Sequence, residues 1–257
     1  MSVRLFRITL MVALLAMVLP VFCQSPAPSY LSVSRMQVRI DRVTECRDLM
    51  KQMVEPYKKA APADQYRVVY STAVGNAFEY WVYMPINKFA DRDEASYFSK
   101  ITKPEERATM YAHLVQYVEH VQTSIEKPIA DLSVIPSGAK FPPTLFRVSR
   151  LYVRPEAAND FINFEKTDLV PILKKINGPV HLVNQIVAGG NPNAFLLYNG
   201  FEKWSELDDT TTVPKAFGGE QAVQKFVGKL NQLGTISERY FVRYEPDLSY
   251  VPAAPAR

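Results

Sequence analysis

Cysteine is nearly absent. Of 257 residues only Cys23 and Cys46 are cysteines, and Cys23 ends an apolar leader. Without that leader one thiol remains, so no internal disulfide can form, although an exported chain would be permitted one. Cys46 lies on the apolar face of an expected helix with no histidine close in sequence. That pattern is a buried small hydrophobe, not a nucleophile. Histidine is almost as scarce, with three residues. His113 and His120 are seven positions apart, which on a helix is about 10 Å along the axis, too far for one ion to span unaided. The two read as surface residues, and His181 opens an expected strand. No HExxH, CxxC or EF-hand pattern occurs, so no metal centre is expected. No Gly-x-Ser-x-Gly elbow is present for a catalytic serine. Gly189-Gly190 is not followed by a helix and reads as a hairpin turn, not as a phosphate cradle. Charge of neither sign dominates. The net charge is +4, and it falls to +2 without Arg4 and Arg7 of the leader. That balance gives no reason to expect nucleic acid or an anionic membrane surface as a partner.

What is present begins with the leader. Residues 1–23 carry a basic start and an apolar run from Ile8 to Phe22, the pattern of a secretory signal. The run falls short of the ~20 residues that a membrane span wants, and no second such stretch follows. The expectation is export to a periplasmic or extracellular space, with no stable membrane insertion after cleavage. Lipidation at Cys23 is the lesser alternative, because Phe22 stands where a small residue is expected. Residues 24–30 form a Pro/Ser-rich linker and residues 253–257 a short tail.

Between linker and tail one phrase occurs twice. Asp131-Leu132-Ser133-Val134-Ile135-Pro136 closes the first stretch, and Asp247-Leu248-Ser249-Tyr250-Val251-Pro252 the second. The openings match as well: Val33-Ser34-Arg35-Met36-Gln37-Val38-Arg39 against Val148-Ser149-Arg150-Leu151-Tyr152-Val153-Arg154. Pro56 and Pro171, Tyr83 and Tyr198, Lys88 and Lys203 keep the same spacing. Such self-similarity signals a duplicated unit. The units are placed at residues 31–140 and 141–252.

Each unit has one order of elements. Leu31 to Ile40 alternates Met36, Val38 and Ile40 on one side with Arg35, Gln37 and Arg39 on the other, a strand with one oily face. A helix follows, with Val43, Cys46, Met50, Met53 and Tyr57 at helical spacing and Pro56 as a bend or end. Strands at 66–74 and 77–84 flank the turn Gly75-Asn76. A helix at 104–119 and a strand at 121–129 complete the unit, with Pro128 marking an edge strand or strand end. The Asp and Ser of the closing phrase have the look of turn residues. The second unit repeats this with a strand at 145–154, a helix at 155–176, strands at 181–188 and 193–198, a helix at 219–233 capped by Gly234, and a strand at 236–244. The order is β-α-β-β-α-β, which is ferredoxin-like.

In such a unit the helices cover one sheet face and leave the other bare, and a bare face needs a partner. The fold expected is α+β: two tandem ferredoxin-like repeats packed sheet-to-sheet as a pseudo-dimeric barrel. The order, the duplication and the strand endings Tyr83, Lys88-Phe89 and Tyr198, Lys203-Trp204 resemble the dimeric α+β-barrel superfamily, which includes NIPSNAP-like proteins and antibiotic-biosynthesis-type monooxygenases. The resemblance covers residues 31–252. It implies a ligand cavity between the sheets and a single chain, a monomer, doing the work of a dimer.

If Met36 and Leu151 face helices, then Arg35, Arg39, Arg150 and Arg154 face the interior with Tyr152. Charges there need partners. Acids such as Glu79 and Glu126, an anionic ligand, or wet barrel mouths would each supply one. Trp81, Tyr83 and Tyr198 share that face. The function expected is non-catalytic binding of a small anionic or aromatic ligand by these residues, with no cofactor. The alternative implied by the resemblance is a cofactor-independent monooxygenase or isomerase, or a haem-handling protein, with His181 as the haem candidate.

Overall fold

The strand alternation at residues 30–38 governs the architecture. In β1 (Tyr30–Val38), Met36 and Val38 point to one side and Val33 and Arg35 to the other. The first side is covered by α1 (Val43–Ala60), whose Cys46 and Met50 pack on Met36 and Val38. The computed structural model describes residues 28–176 and 178–252. The expected signal segment, most of the linker and the tail lie outside the described residues.

After α1 come β2 (Val68–Val74), β3 (Glu79–Ile86), the short α2 (Tyr97–Ile101), α3 (Pro104–Tyr117) and β4 (Val118–Pro128). Then follow β5 (Leu145–Val153), α4 (Ala158–Phe164), α5 (Val170–Lys175), β6 (Val180–Ala188), β7 (Ala194–Phe201), α6 (Thr212–Phe217), α7 (Glu220–Leu233) and β8 (Gly234–Tyr244). The eight strands form one closed antiparallel barrel in the order β1-β3-β2-β8-β5-β7-β6-β4. Each half contributes the run fourth-first-third-second strand. Ladders between β2 and β8 and between β4 and β6 join the halves. Closure leaves no strand edge free to pair with another chain. The register repeats too: Val33–Tyr83 and Arg35–Trp81 in the first half answer to Val148–Tyr198 and Arg150–Leu196 in the second, each residue 115 positions on.

The closing phrases cross over. Tyr250, at the chain's end, bridges to Arg67 of the first half, and Val134 bridges to His181 of the second. Ser249 Oγ accepts from the Val69 amide (2.9 Å) and donates to the Glu245 carbonyl (2.7 Å). Ser133 does the same with the Val183 amide and the Ile129 carbonyl. The serines therefore hold local turns, as expected, and also tie each phrase to the opposite half. The aspartates instead face lysine and arginine: Asp131 meets Lys166 at 2.6 Å and Asp247 meets Arg47 at 3.9 Å.

Several local expectations are corrected. Pro56 does not end α1, which runs on to Ala60. Its counterpart Pro171 sits just after a π-helical segment, Glu165–Leu169, that splits the expected single helix in two. A proline removes one helical donor, and a π-bulge is one way to absorb that loss. Pro128 does end β4, one of its two expected places, while the edge-strand alternative fails because β4 is paired on both sides. Gly234 is the C-cap of α7, as expected, with its N–H donating to the Leu230 carbonyl, but it is extended, at φ −169°, and not in a left-handed turn. A Cβ there would strike the Tyr152 carbonyl, so glycine is required by close strand packing. Gly189 does adopt positive φ, and a Cβ there would meet the Thr123 carbonyl.

Candidate functional site

The barrel interior, the chamber expected from sequence, is filled. Tyr70, Trp81, Tyr83, Phe146 and Tyr198 pack there with Val33, Val148 and Leu196. Ring centroids stand 5.3 Å apart for Tyr70–Phe146, 5.7 Å for Phe146–Tyr198 and 6.1 Å for Tyr83–Tyr198. These spacings are those of ordinary aromatic packing.

Arg35 sits at one mouth between the rings of Trp81 (4.5 Å) and Tyr240 (4.8 Å). It pairs with Glu79 at 3.0 Å and lies 3.7 Å from Glu238. The Trp81 indole donates to the same Glu79 at 2.8 Å. Arg150 meets Glu238 at 3.3 Å. Two arginines are thus matched by two glutamates, one of which, Glu238, the sequence reading missed. Tyr152 lines a niche of about 180 Å³ beside Arg35 and Arg150 at this mouth. Arg39 and Arg154 are not interior. The strands end at Val38 and Val153, so both arginines are exposed and pair with neighbours Asp41 (3.2 Å) and Glu156 (3.6 Å).

Deeper inside, Glu126 neutralises no arginine directly. It is buried and accepts hydrogen bonds from Asn184 Nδ2 (2.8 Å) and Tyr198 OH (2.9 Å). Burial pushes its carboxyl up to about 7, against the pull of those donors and of the Arg150 charge. The Tyr83 hydroxyl is buried without a hydrogen-bond partner.

The large cavity lies elsewhere. A space of about 690 Å³ opens between the outer sheet face of the first half and its helices. Met36, Val82 and Met84 form its floor, Tyr57 of α1 and Tyr97 and Phe98 of α2 its walls, and Tyr111 and Leu114 of α3 its far side. At the rim, Arg92 donates to Ser32 Oγ (3.1 Å) and Lys100 to Glu94 (2.8 Å). Arg67, immediately before β2, lines the cavity and is only 5 % exposed. Its Nη1 has no hydrogen-bond partner, and burial lowers its pKa. Sequence alternation carried the signal for it. In Tyr66-Arg67-Val68-Val69-Tyr70 the residues facing inward are Tyr66, Val68 and Tyr70, which leaves Arg67 beside Val69 on the oily, helix-covered side.

The matching space of the second half is packed. Phe161 stands 4.7 Å from Phe195, and Phe164 stacks on Phe226 at 4.6 Å. His181 is buried there, with Nδ1 facing Asn199 (3.1 Å) and Nε2 facing Glu165 (3.3 Å). His113 and His120 are exposed. Cys46 is buried, and its thiol is pushed up to about 11. Among the described residues no three His, Cys, Asp or Glu are placed to hold a metal, and no helix is long and apolar enough to cross a membrane.

The topology is that of the dimeric α+β barrels, here with both halves in one polypeptide. No family model and no curated protein matches the sequence. Solved structures share its fold. A monooxygenase-like protein of Lactobacillus acidophilus superposes with a TM-score of 0.58 at 9 % identity, covering 88 % of this chain and 97 % of that one. A variant chlorite dismutase of Candidatus Nitrospira defluvii gives 0.53 at 8 %, covering 86 % and 93 %. A haem-binding protein of Thermus thermophilus gives 0.50 at 8 %, covering 86 % and 92 %. At such identities the likeness is one of fold.

The haem-binding neighbour invites a test for haem. Iron in haem proteins is held by His, Cys, Met or Tyr. The 690 Å³ cavity is lined by no histidine and no cysteine. Both nitrogens of His181 already face partners, and the side chain is only 2 % exposed. The residues present do not fit a histidine-ligated haem.

Proposed function

We propose that the protein is an exported, non-catalytic binder of a small aromatic molecule, held between the first sheet and α1–α3. The observation that carries this is the cavity itself. Its volume lies in the range of ligand sites, and its lining joins apolar and aromatic side chains such as Met36, Tyr57 and Phe98 to a set of polar and charged groups that includes Arg67. The second half, with the same strand order, has its space filled by side chains, so the hollow is not a by-product of the fold. Export rests on the leader, and a monomeric state on the closed barrel built from one chain. We read the repeated register as a duplication, and the endings at Tyr83 and Tyr198 as nearest to the NIPSNAP-like branch.

Calorimetry with naphthoate and naphthamide tests the binding. At least one should bind the mature protein, and Ser34→Trp, which fills the cavity floor, should abolish it. If neither probe binds the unaltered protein, the proposal fails. Amino-terminal sequencing of the exported product checks the leader.

A second reading is a cofactor-independent oxygenase. Tyr57, Tyr97 and Tyr111 around the cavity and the monooxygenase-like neighbour favour it. Oxygen uptake with polyphenols would then exceed the background and vanish in Ser34→Trp.

A further inference from the structure

We propose that Arg67 is an anion anchor and that the cavity's ligand is an aromatic carboxylate. This rests on the cavity being a binding site, and it adds the chemical class of what enters.

A buried charge without a partner is costly, so buried arginines are normally paired. Arg35 and Arg150 obey that rule. Arg67 does not. Among the described residues no carboxylate lies within ion-pair reach of it, and the polar side chains that bear on it are the phenols of Tyr57 and Tyr111. Those are neutral groups, and they leave the charge unmatched. Of the rim cations, Lys100 is paired with Glu94, and Arg92, which is less deeply placed, donates to the Ser32 hydroxyl.

The second half shows what is missing. Arg67 and His181 hold equivalent places, because each precedes the residue paired with Tyr83 or Tyr198 and each bridges to a closing phrase. His181 has a buried carboxylate, Glu165, on the helix above it. The residue 115 positions before Glu165 is Met50, on α1. Where one half supplies an internal acid to a buried base, the other supplies a thioether and an open cavity. A guanidinium presents a flat fork of donors that suits a carboxylate. The rings of Tyr57, Tyr97 and Phe98 beside it suit an aromatic body.

The test uses the full mature chain and matched probes, naphthoate and its uncharged amide. A charge-assisted contact to a buried guanidinium separates them by about tenfold or more in Kd. We expect naphthoate to bind at least that much more tightly. Arg67→Met should erase the preference, and Arg67→Lys, which keeps the charge but loses the fork, should keep part of it. A second measurement needs no ligand. The urea midpoint of ligand-free Arg67→Met should equal or exceed that of the unaltered chain, because an unmatched charge has been removed. Equal binding of acid and amide overturns the proposal while leaving the binding site in place. So does a preference that survives Arg67→Met, or a lowered midpoint, which would mark Arg67 as structural. Failure of both probes overturns the binding reading beneath it.

Discussion

Replacing Glu126 by glutamine should change how stability depends on pH, and in one direction. The carboxyl has an ordinary value of 4.5, and burial lifts it to about 7 in the folded barrel. The folded state therefore holds the proton more tightly than the unfolded chain. Its contribution is fully present below pH 4.5 and is lost as pH rises through about 7. At about 1.4 kcal/mol per unit, the loss comes to about 3 kcal/mol. The groups facing the carboxyl are Asn184, Tyr198 and Ser124, with the Arg150 charge and the Tyr83 hydroxyl further off. None of the three contacting groups titrates between pH 4.5 and 8, so the window belongs to Glu126. Glutamine keeps an oxygen to accept from Asn184 and Tyr198 and cannot ionise. Urea denaturation at half-unit steps from pH 4.5 to 8 gives the measurement. Glu126→Gln should match the unaltered chain near pH 4.5 and exceed it by about 3 kcal/mol near pH 8. Parallel curves would refute the reasoning, because they would mean that Glu126 titrates alike in both states.

Other expectations follow from the same geometry. Tyr198→Phe removes one donor from a buried carboxylate and should cost about 1–3 kcal/mol at pH 8 and less at pH 5, read from the same denaturation curves. Arg35→Ala strands Glu79, which is 5 % exposed, and should cost about 3–5 kcal/mol. Arg39→Ala, at the same offset in the repeat as Arg154, touches only an exposed pair and should leave the urea midpoint unchanged. Gly189→Ala should cost more than about 1 kcal/mol, since φ is +75° and the Thr123 carbonyl blocks a Cβ. Added haemin should not give the visible spectrum of histidine-ligated iron, and such a spectrum, lost in His181→Ala, would contradict the packing around His181.

The barrel was legible because strand alternation is local and the repeat supplies it twice. Met36 and Val38 against Arg35, and Leu151 and Val153 against Arg150, each fix which face of a strand is dry. What escaped depends on distant segments. Whether a barrel interior is open depends on the summed volume of Tyr70, Trp81, Phe146 and Tyr198, residues from four strands. The partner of Arg150 is on β8, 88 positions away. The short helices α2 and α6 carry too few turns for a periodic signal, yet Tyr97 and Phe98 of α2 build the cavity wall. Arg39 and Arg154 were misplaced because the strands stop two residues and one residue short of the expected ends, which leaves both side chains outside the ladder.

Joining the halves covalently has a consequence for how the molecule can vary. When identical subunits associate, any substitution appears at both sites, and a hollow can be neither gained nor filled on one side alone. Here Ser32 can stay small while Arg147 grows at the same register, and Met50 can stand opposite Glu165. One half is free to pack solid, while the other keeps its cavity.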